Sequence, residues 1–238
     1  MPRQNKILTP RVEFALVCAF VAIEVVLYAL FLAEDFGDAS VGANVWLKYS
    51  TVIVAFGFAL TYFVVCDKSE LLDVVLLVSG LALTLVSDYF LLVKGEYYEV
   101  GLVTFIGAQL CYFARIKRGR IWLVASISAR IILSVVAIIV LKVTGYGEAL
   151  YLLVAVYFVQ LVGNFVENVV SIFAAKEKDE KIKAILLSVG FLLFIGCDIS
   201  VGLMNLFGEA GECIWLFYTP SQVLIALSHR RKYEDETN

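Results

Sequence analysis

The chain has 238 residues, of which 61% are apolar (AVILMFWYC) and only 17% charged, with a formal net charge of −3. Soluble domains reach about 45–50% apolar even with Gly included, so a soluble globular fold is excluded and a polytopic membrane protein remains. The five cysteines (Cys18, Cys66, Cys111, Cys197 and Cys213) form no C-x-x-C pair and read as free, packed thiols, not disulfides or metal ligands.

A helix needs about 20 apolar residues to cross the hydrocarbon core. Eight runs qualify or come close: about 13–33, 46–66, 71–93, 99–115, 121–141, 149–173, 184–206 and 213–228, the fourth and eighth being short. The first carries a lone Glu24 and no A-x-A cleavage site, so it reads as a retained helix. The second opens with Lys48. The third starts beside Glu70 and Asp73, both expected to be solvated, and holds Asp88 deep in an apolar stretch. The fourth sets Phe105, Gln109 and Tyr112 on one stripe. In the fifth, Ser126, Arg130 and Ser134 follow i+4 steps, and Arg130 should pair with Glu24 or Glu167.

The sixth places Gln160, Asn164, Glu167 and Asn168 on one face, a pattern for interhelical hydrogen bonds. The seventh holds Asp198, with Gly202 and Asn205 on the same face. The eighth aligns Trp215, Tyr218 and Gln222. Its Pro220 removes an N–H and leaves the carbonyl near Leu216 in need of a partner.

Charge orients the bundle. With the N-terminus and alternate loops assigned to the cytoplasm, that side holds fifteen Lys and Arg and the opposite loops only Lys94 and Lys142. This positive-inside bias predicts an all-α bundle of eight transmembrane helices with both termini cytoplasmic. Anionic lipid headgroups account for the basic loops, so no nucleic-acid partner is implied.

The third and seventh runs resemble one another. Gly80 and Gly190 each stand eight residues before an aspartate, and a helix with Gln and Tyr follows each run. Four crossings lie between them, which suggests a parallel 4+4 repeat. Asp88 and Asp198 fall outward of the midplane, roughly 9 Å and roughly 4–5 Å at 1.5 Å per residue. Intramembrane carboxyls are costly and mark function. The sole histidine, His229, falls in the C-terminal tail, and no Walker, G-x-S-x-G or H-E-x-x-H motif occurs. Chemistry here must rest on carboxylates supported by Tyr, Gln, Asn and Lys; no metal or other cofactor is called for. Asp88, Asp198, Gln109, Tyr112, Asn205, Tyr218 and Gln222 should converge on one outer cavity with Lys48 at its mouth.

The stretches SDYFLL…GLVTFIGAQLCY (87–112) and LLFIGCDISVGLMNLF…FYTPSQVLIAL (192–227) resemble the YhhN-type membrane family, which includes the lysoplasmalogenases. Tyr218 and Gln222 match that family's Tyr-x-x-x-Gln. Ser87, Cys197, Gln109 and Tyr49 stand where it commonly has Gly, Ser, His and Pro. The resemblance implies hydrolysis of the vinyl ether of a lysophospholipid substrate, with Asp88 and Asp198 catalytic and Lys48 suited to the substrate phosphate. The protein would then work in a bacterial inner membrane or an endoplasmic reticulum. Repeated helices with intramembrane acids also suit a lipid-binding protein or proton-coupled carrier.

Overall fold

The computed structural model describes residues 9–36, 41–66, 70–116, 119–208 and 211–229. Arg3, Lys6, Lys68, Lys117, Arg118, Arg230, Arg231 and Lys232, which enter the charge count, lie outside these residues. The helices are α1 (Pro10–Asp35), α2 (Val41–Val65), α3 (Leu71–Asp88), α4 (Tyr98–Ala114), α5 (Arg120–Val143), α6 (Ala149–Ala174), α7 (Lys178–Phe207) and α8 (Gly211–Ala226). A π-helical turn (Tyr89–Lys94) extends α3 directly. Among the described residues no strand occurs.

Among the described residues six segments are long and apolar enough to cross a membrane: α1, α2, α3 with its π turn, α5, α6 and α7. The helices α4 and α8 are apolar but shorter, with 17 and 16 residues. That is roughly 25 Å at 1.5 Å per residue, less than the ~30 Å hydrocarbon core. Helix α1 starts on a capping signal: Thr9 Oγ1 accepts the Val12 N–H at 3.4 Å and Pro10 occupies the first turn. Helix α7 begins at Lys178, earlier than its apolar run, because Asp179 and Glu180 suit the positive end of the helix dipole.

Successive helices run antiparallel. Near one end of the bundle Lys48 of α2 meets Asp35 of α1, and Ser87 of α3 donates to the Gly101 carbonyl of α4 at 2.6 Å. At the other end Tyr62 of α2 reaches Glu13 of α1, and Arg115 reaches Asp73. The first and last described segments therefore share the Asp73 end. The core joins Phe58, Leu77, Leu161, Phe191, Phe194 and Ile225. Helix α5 packs on α6, and Arg130 is its buried residue; its apolar side chains otherwise face outward.

Two glycines set close approaches. At Gly80 a Cβ would run into the Tyr112 ring of α4, and at Gly190 it would lie 3.3 Å from the Ser221 carbonyl oxygen of α8.

The polar stripes find partners as interhelical hydrogen bonds. Arg130 pairs with Glu167 at 2.7 Å and donates to Gln160 Oε1 and Asn164 Oδ1, both at 3.0 Å. Gly163 leaves room for it, since a Cβ there would sit 2.6 Å from the guanidinium carbon. Ser126 also hydrogen-bonds Glu167. Glu24 is not Arg130's partner: it is buried in α1, and neither carboxyl oxygen has a hydrogen-bond partner among the described residues. The carbonyl freed by Pro220 is capped from α1, where the Tyr28 hydroxyl donates to Leu216 O at 3.1 Å.

Three expectations at the Asp73 end fail. Asp73 is not solvated: it takes both Nε and Nη2 of Arg115 (3.1 and 3.2 Å) and also pairs with Lys183. His229 is not a tail residue in water. It is 5% exposed, its Nδ1 lies 3.1 Å from Asp73, and its ring sits edge-on to Tyr62. Glu70 belongs to the same cluster, 3.8 Å from His229 Nε2. A short polar segment beside an apolar run reads as solvated; here three helix ends close over it.

Candidate active site

Asp88 ends the α-helical part of α3, and the chain passes straight into the π turn. Such turns frequently sit at functional positions, because the wider coil re-aims side chains. The link to α4 then carries Tyr97 in the left-handed region (φ 59°), a conformation that costs a non-glycine residue of order 1–3 kcal/mol. The backbone is thus locally irregular beside Asp88.

Each aspartate is held by a tyrosine from another helix. The Tyr218 hydroxyl of α8 donates to Asp88 Oδ2 at 2.5 Å, and the Tyr157 hydroxyl of α6 donates to Asp198 Oδ2 at 2.8 Å. Asp88 is buried and Asp198 half-buried. Both tyrosine rings pack on Phe194 of α7, at 5.3 and 6.4 Å between centroids, and Phe105 of α4 completes the wall. The two carboxyls therefore flank one aromatic cluster.

Towards the Lys48 end the cluster continues from Tyr218 to Trp215, 5.1 Å between centroids. The Lys48 ammonium lies 5.5 Å from the Trp215 ring and 5.9 Å from Phe31, and pairs with Asp35 at 2.8 Å. Asn44 also bonds Asp35. Lys48 is thus held one aromatic layer from the tyrosine that grips Asp88.

The remaining expected site residues lie elsewhere. Gln109 is fully buried, but its Oε1 accepts from Asn164 at 2.9 Å, which ties it to the Arg130 network; its Nε2 has no partner among the described residues. Tyr112 sits lower, beside Gly80, with its hydroxyl 3.5 Å from Thr84 Oγ1. Gln222 is buried one turn below Tyr218 and reaches Ser221 Oγ at 3.4 Å. Asn205 is exposed near the end of α7 and donates to Val201 O of its own helix at 2.8 Å. It is not brought to the carboxyls. Tyr157 was missed from sequence, although it stands on the Gln160–Asn164–Asn168 stripe, three residues before Gln160.

A bundle of apolar helices enclosing two tyrosine-bound carboxyls defines a multi-pass membrane protein with a polar site between its helices. The chain belongs to the YhhN family, whose profile matches residues 43–229 and so takes in α2 through α8, with α1 preceding it. No curated protein and no solved structure matches the chain.

Proposed function

We propose that this protein hydrolyses the vinyl ether bond of lysoplasmalogen, giving a fatty aldehyde and a glycerophospho-headgroup compound. The observation that carries this reading is the pair of Asp–Tyr units packed around Phe194. Vinyl ether hydrolysis begins with proton donation to the alkene carbon distal to the ether oxygen, which leaves an oxocarbenium ion. Water adds to that cation and loses a proton, and the hemiacetal collapses to aldehyde and alcohol. One carboxyl supplies the proton, and a carboxylate nearby stabilises the cation, a division of labour shared with glycoside cleavage. The two would titrate as a coupled pair. The rings of Tyr157, Phe194 and Tyr218 offer π faces to the same positive charge. Lys48 lies on the side from which a phosphate could be met, and the lipid chain enters between helices.

The wider architecture in this reading is eight crossings with the Asp73 end cytoplasmic. The charge asymmetry supports it, as do helices that alternate in direction. The matched glycines, each opening α3 or α7 to the helix that follows, support a parallel 4+4 repeat.

The test is aldehyde release from lysoplasmalogen by protein purified in detergent. Turnover is expected, slowing as rising pH removes the donated proton. The saturated ether analogue should bind without turning over, because it has no alkene carbon to protonate. A folded protein that binds the lipid saturably without releasing aldehyde would favour the carrier or lipid-binding reading instead.

A further inference from the structure

Glu24 is a buried carboxyl that no ion pair and no part of the aspartate site accounts for. It is 3% exposed near the middle of α1, and neither oxygen has a partner among the described residues. An ionised carboxylate enclosed in this way needs a compensating charge. Lys48 does not supply it. That ammonium stands beside Phe31, seven residues and roughly 10 Å further along α1 at 1.5 Å per residue, and is paired with Asp35.

Contacts on either side fix what Glu24 faces. Helices α1 and α8 run antiparallel. Phe31 packs on Trp215, 6.0 Å between centroids, and Tyr28 meets the Leu216 carbonyl at 3.1 Å. Further down, Tyr62 bridges the two helices, reaching Glu13 at 3.1 Å and the His229 ring at 5.0 Å. Glu24 stands one turn below Tyr28 on the same face, level with the turn of α8 that follows Leu216. Thr219 and Gln222 come four and seven residues after Trp215, on the face that Trp215 turns to α1. They are 2% and 1% exposed, and Thr219 Oγ1 and Gln222 Oε1 have no partner among the described residues. The α2 wall at this level, Val52 and Ala55, is apolar and fully buried.

The seam therefore gathers unpartnered oxygens: both of Glu24, one of Thr219 and one of Gln222. The Gln222 amide nitrogen is turned to Ser221 Oγ, 3.4 Å away. A proton on Glu24 would make one hydrogen bond and leave the other oxygens unsatisfied. A cation ligated by several oxygens serves all of them, and hard oxygen donors suit alkali and alkaline-earth ions. One carboxylate balances one charge, so the ion is monovalent; a divalent ion would leave a net charge in a low dielectric. The Leu216 carbonyl freed by Pro220 keeps a second lone pair after Tyr28 has donated to it, and carbonyls at broken helices are a recurrent source of sodium ligands.

We propose that the α1–α8 seam binds a monovalent alkali cation, with Glu24 neutralising it and Thr219 and Gln222 supplying neutral oxygens. The proposal is independent of the hydrolase reading, because it is tested by binding. The full chain in detergent is melted in NaCl, KCl or N-methylglucamine chloride at equal ionic strength, which holds screening constant. One alkali ion should raise the melting temperature by at least about 3 °C over the organic cation, growing with the logarithm of its concentration. Radioactive sodium, or rubidium as a potassium surrogate, should bind saturably, and the tighter of the two names the occupant. Glu24→Gln should abolish both effects and, carrying no buried charge, melt no lower than wild type in the organic salt. Thr219→Val keeps the shape and removes the oxygen; it should weaken binding about three-fold or more, and it tests the site even if Glu24→Gln fails to fold. Asp88→Asn and Asp198→Asn should leave binding unchanged. The proposal is overturned by equal melting in all three salts, by absence of saturable binding, by binding that survives Glu24→Gln or is unaltered in Thr219→Val, or by its loss in either aspartate variant.

Discussion

At Asp88 and Asp198 a tyrosine hydroxyl engages one carboxyl oxygen from across the bundle, so both carboxyls are held in place by a neutral donor. Replacing either with Asn keeps size and some hydrogen bonding but removes both the donatable proton and the negative charge. Acid–base assistance is worth about 10²–10⁴-fold, so each variant should lose at least about 10²-fold in aldehyde release while keeping its thermal transition. Near-normal rates in both folded variants would make the aspartates structural. Tyr157→Phe and Tyr218→Phe each remove a hydrogen bond to a carboxyl, an interaction worth about 1.5–3 kcal/mol when charged. A fall of roughly 10–100-fold in kcat is expected from each, as one decade corresponds to about 1.4 kcal/mol. Unchanged kcat with both hydroxyls gone would show that the tyrosines do not serve the reaction. The aspartates were legible from sequence because a carboxyl in an apolar run is conspicuous. Tyr157 was not, because a tyrosine in such a run is ordinary and its partner lies 41 residues away.

Helix pairs show where sequence reasoning reaches and where it stops. Pro220 announces an unpaired carbonyl four residues earlier, but nothing in the sequence says that Tyr28 of α1 would cap it. The coupling is testable by a double-mutant cycle. Tyr28→Phe should cost about 1–3 kcal/mol of stability, the penalty of a buried unsatisfied group. In a Pro220→Ala background the restored N–H should satisfy Leu216 O, so the same change should cost measurably less. Equal costs in both backgrounds would mean that Tyr28 acts through packing alone. Arg130 tells a similar story on α5. Its need for a carboxylate was readable, and Glu167 is that partner, whereas Glu24 lies on another helix pair. Removing one member of a buried pair typically costs about 3–5 kcal/mol. Arg130→Met should therefore destabilise strongly in thermal unfolding, and adding Glu167→Gln should recover part of the loss by removing the stranded charge. No recovery would locate the cost in the Gln160 and Asn164 contacts instead. Gln109 belongs to this network too, which is why a polar residue on the expected stripe faces α6 rather than the aspartates.

At the scale of the molecule, apolar run length gave the helices to within a few residues at most ends, because hydrocarbon thickness sets both quantities. What it could not give is the cluster that gathers the Asp73 end, whose members stand 42, 110 and 156 residues from Asp73. Contacts of that separation leave no local periodicity. The cluster and the charge bias nevertheless bear on the same question, namely which end of the bundle faces the cytoplasm. Lys94 and Lys142 lie at the Lys48 end, whereas Arg120 and Lys176 lie at the opposite one, next to the ends of α5 and α6. Single cysteines placed at these four positions in a cysteine-free background should divide two and two when probed with an impermeant thiol reagent in intact cells. Positions 94 and 142 should label from outside, and positions 120 and 176 only after the membrane is opened. The pattern follows from antiparallel neighbours and from positive charge held on the cytoplasmic side. Labelling of 94 and 176 from the same side would break the alternation. Labelling of 120 and 176 alone from outside would keep the bundle but invert it, moving the aspartates to the inner leaflet and with them the side from which a lipid substrate would have to arrive.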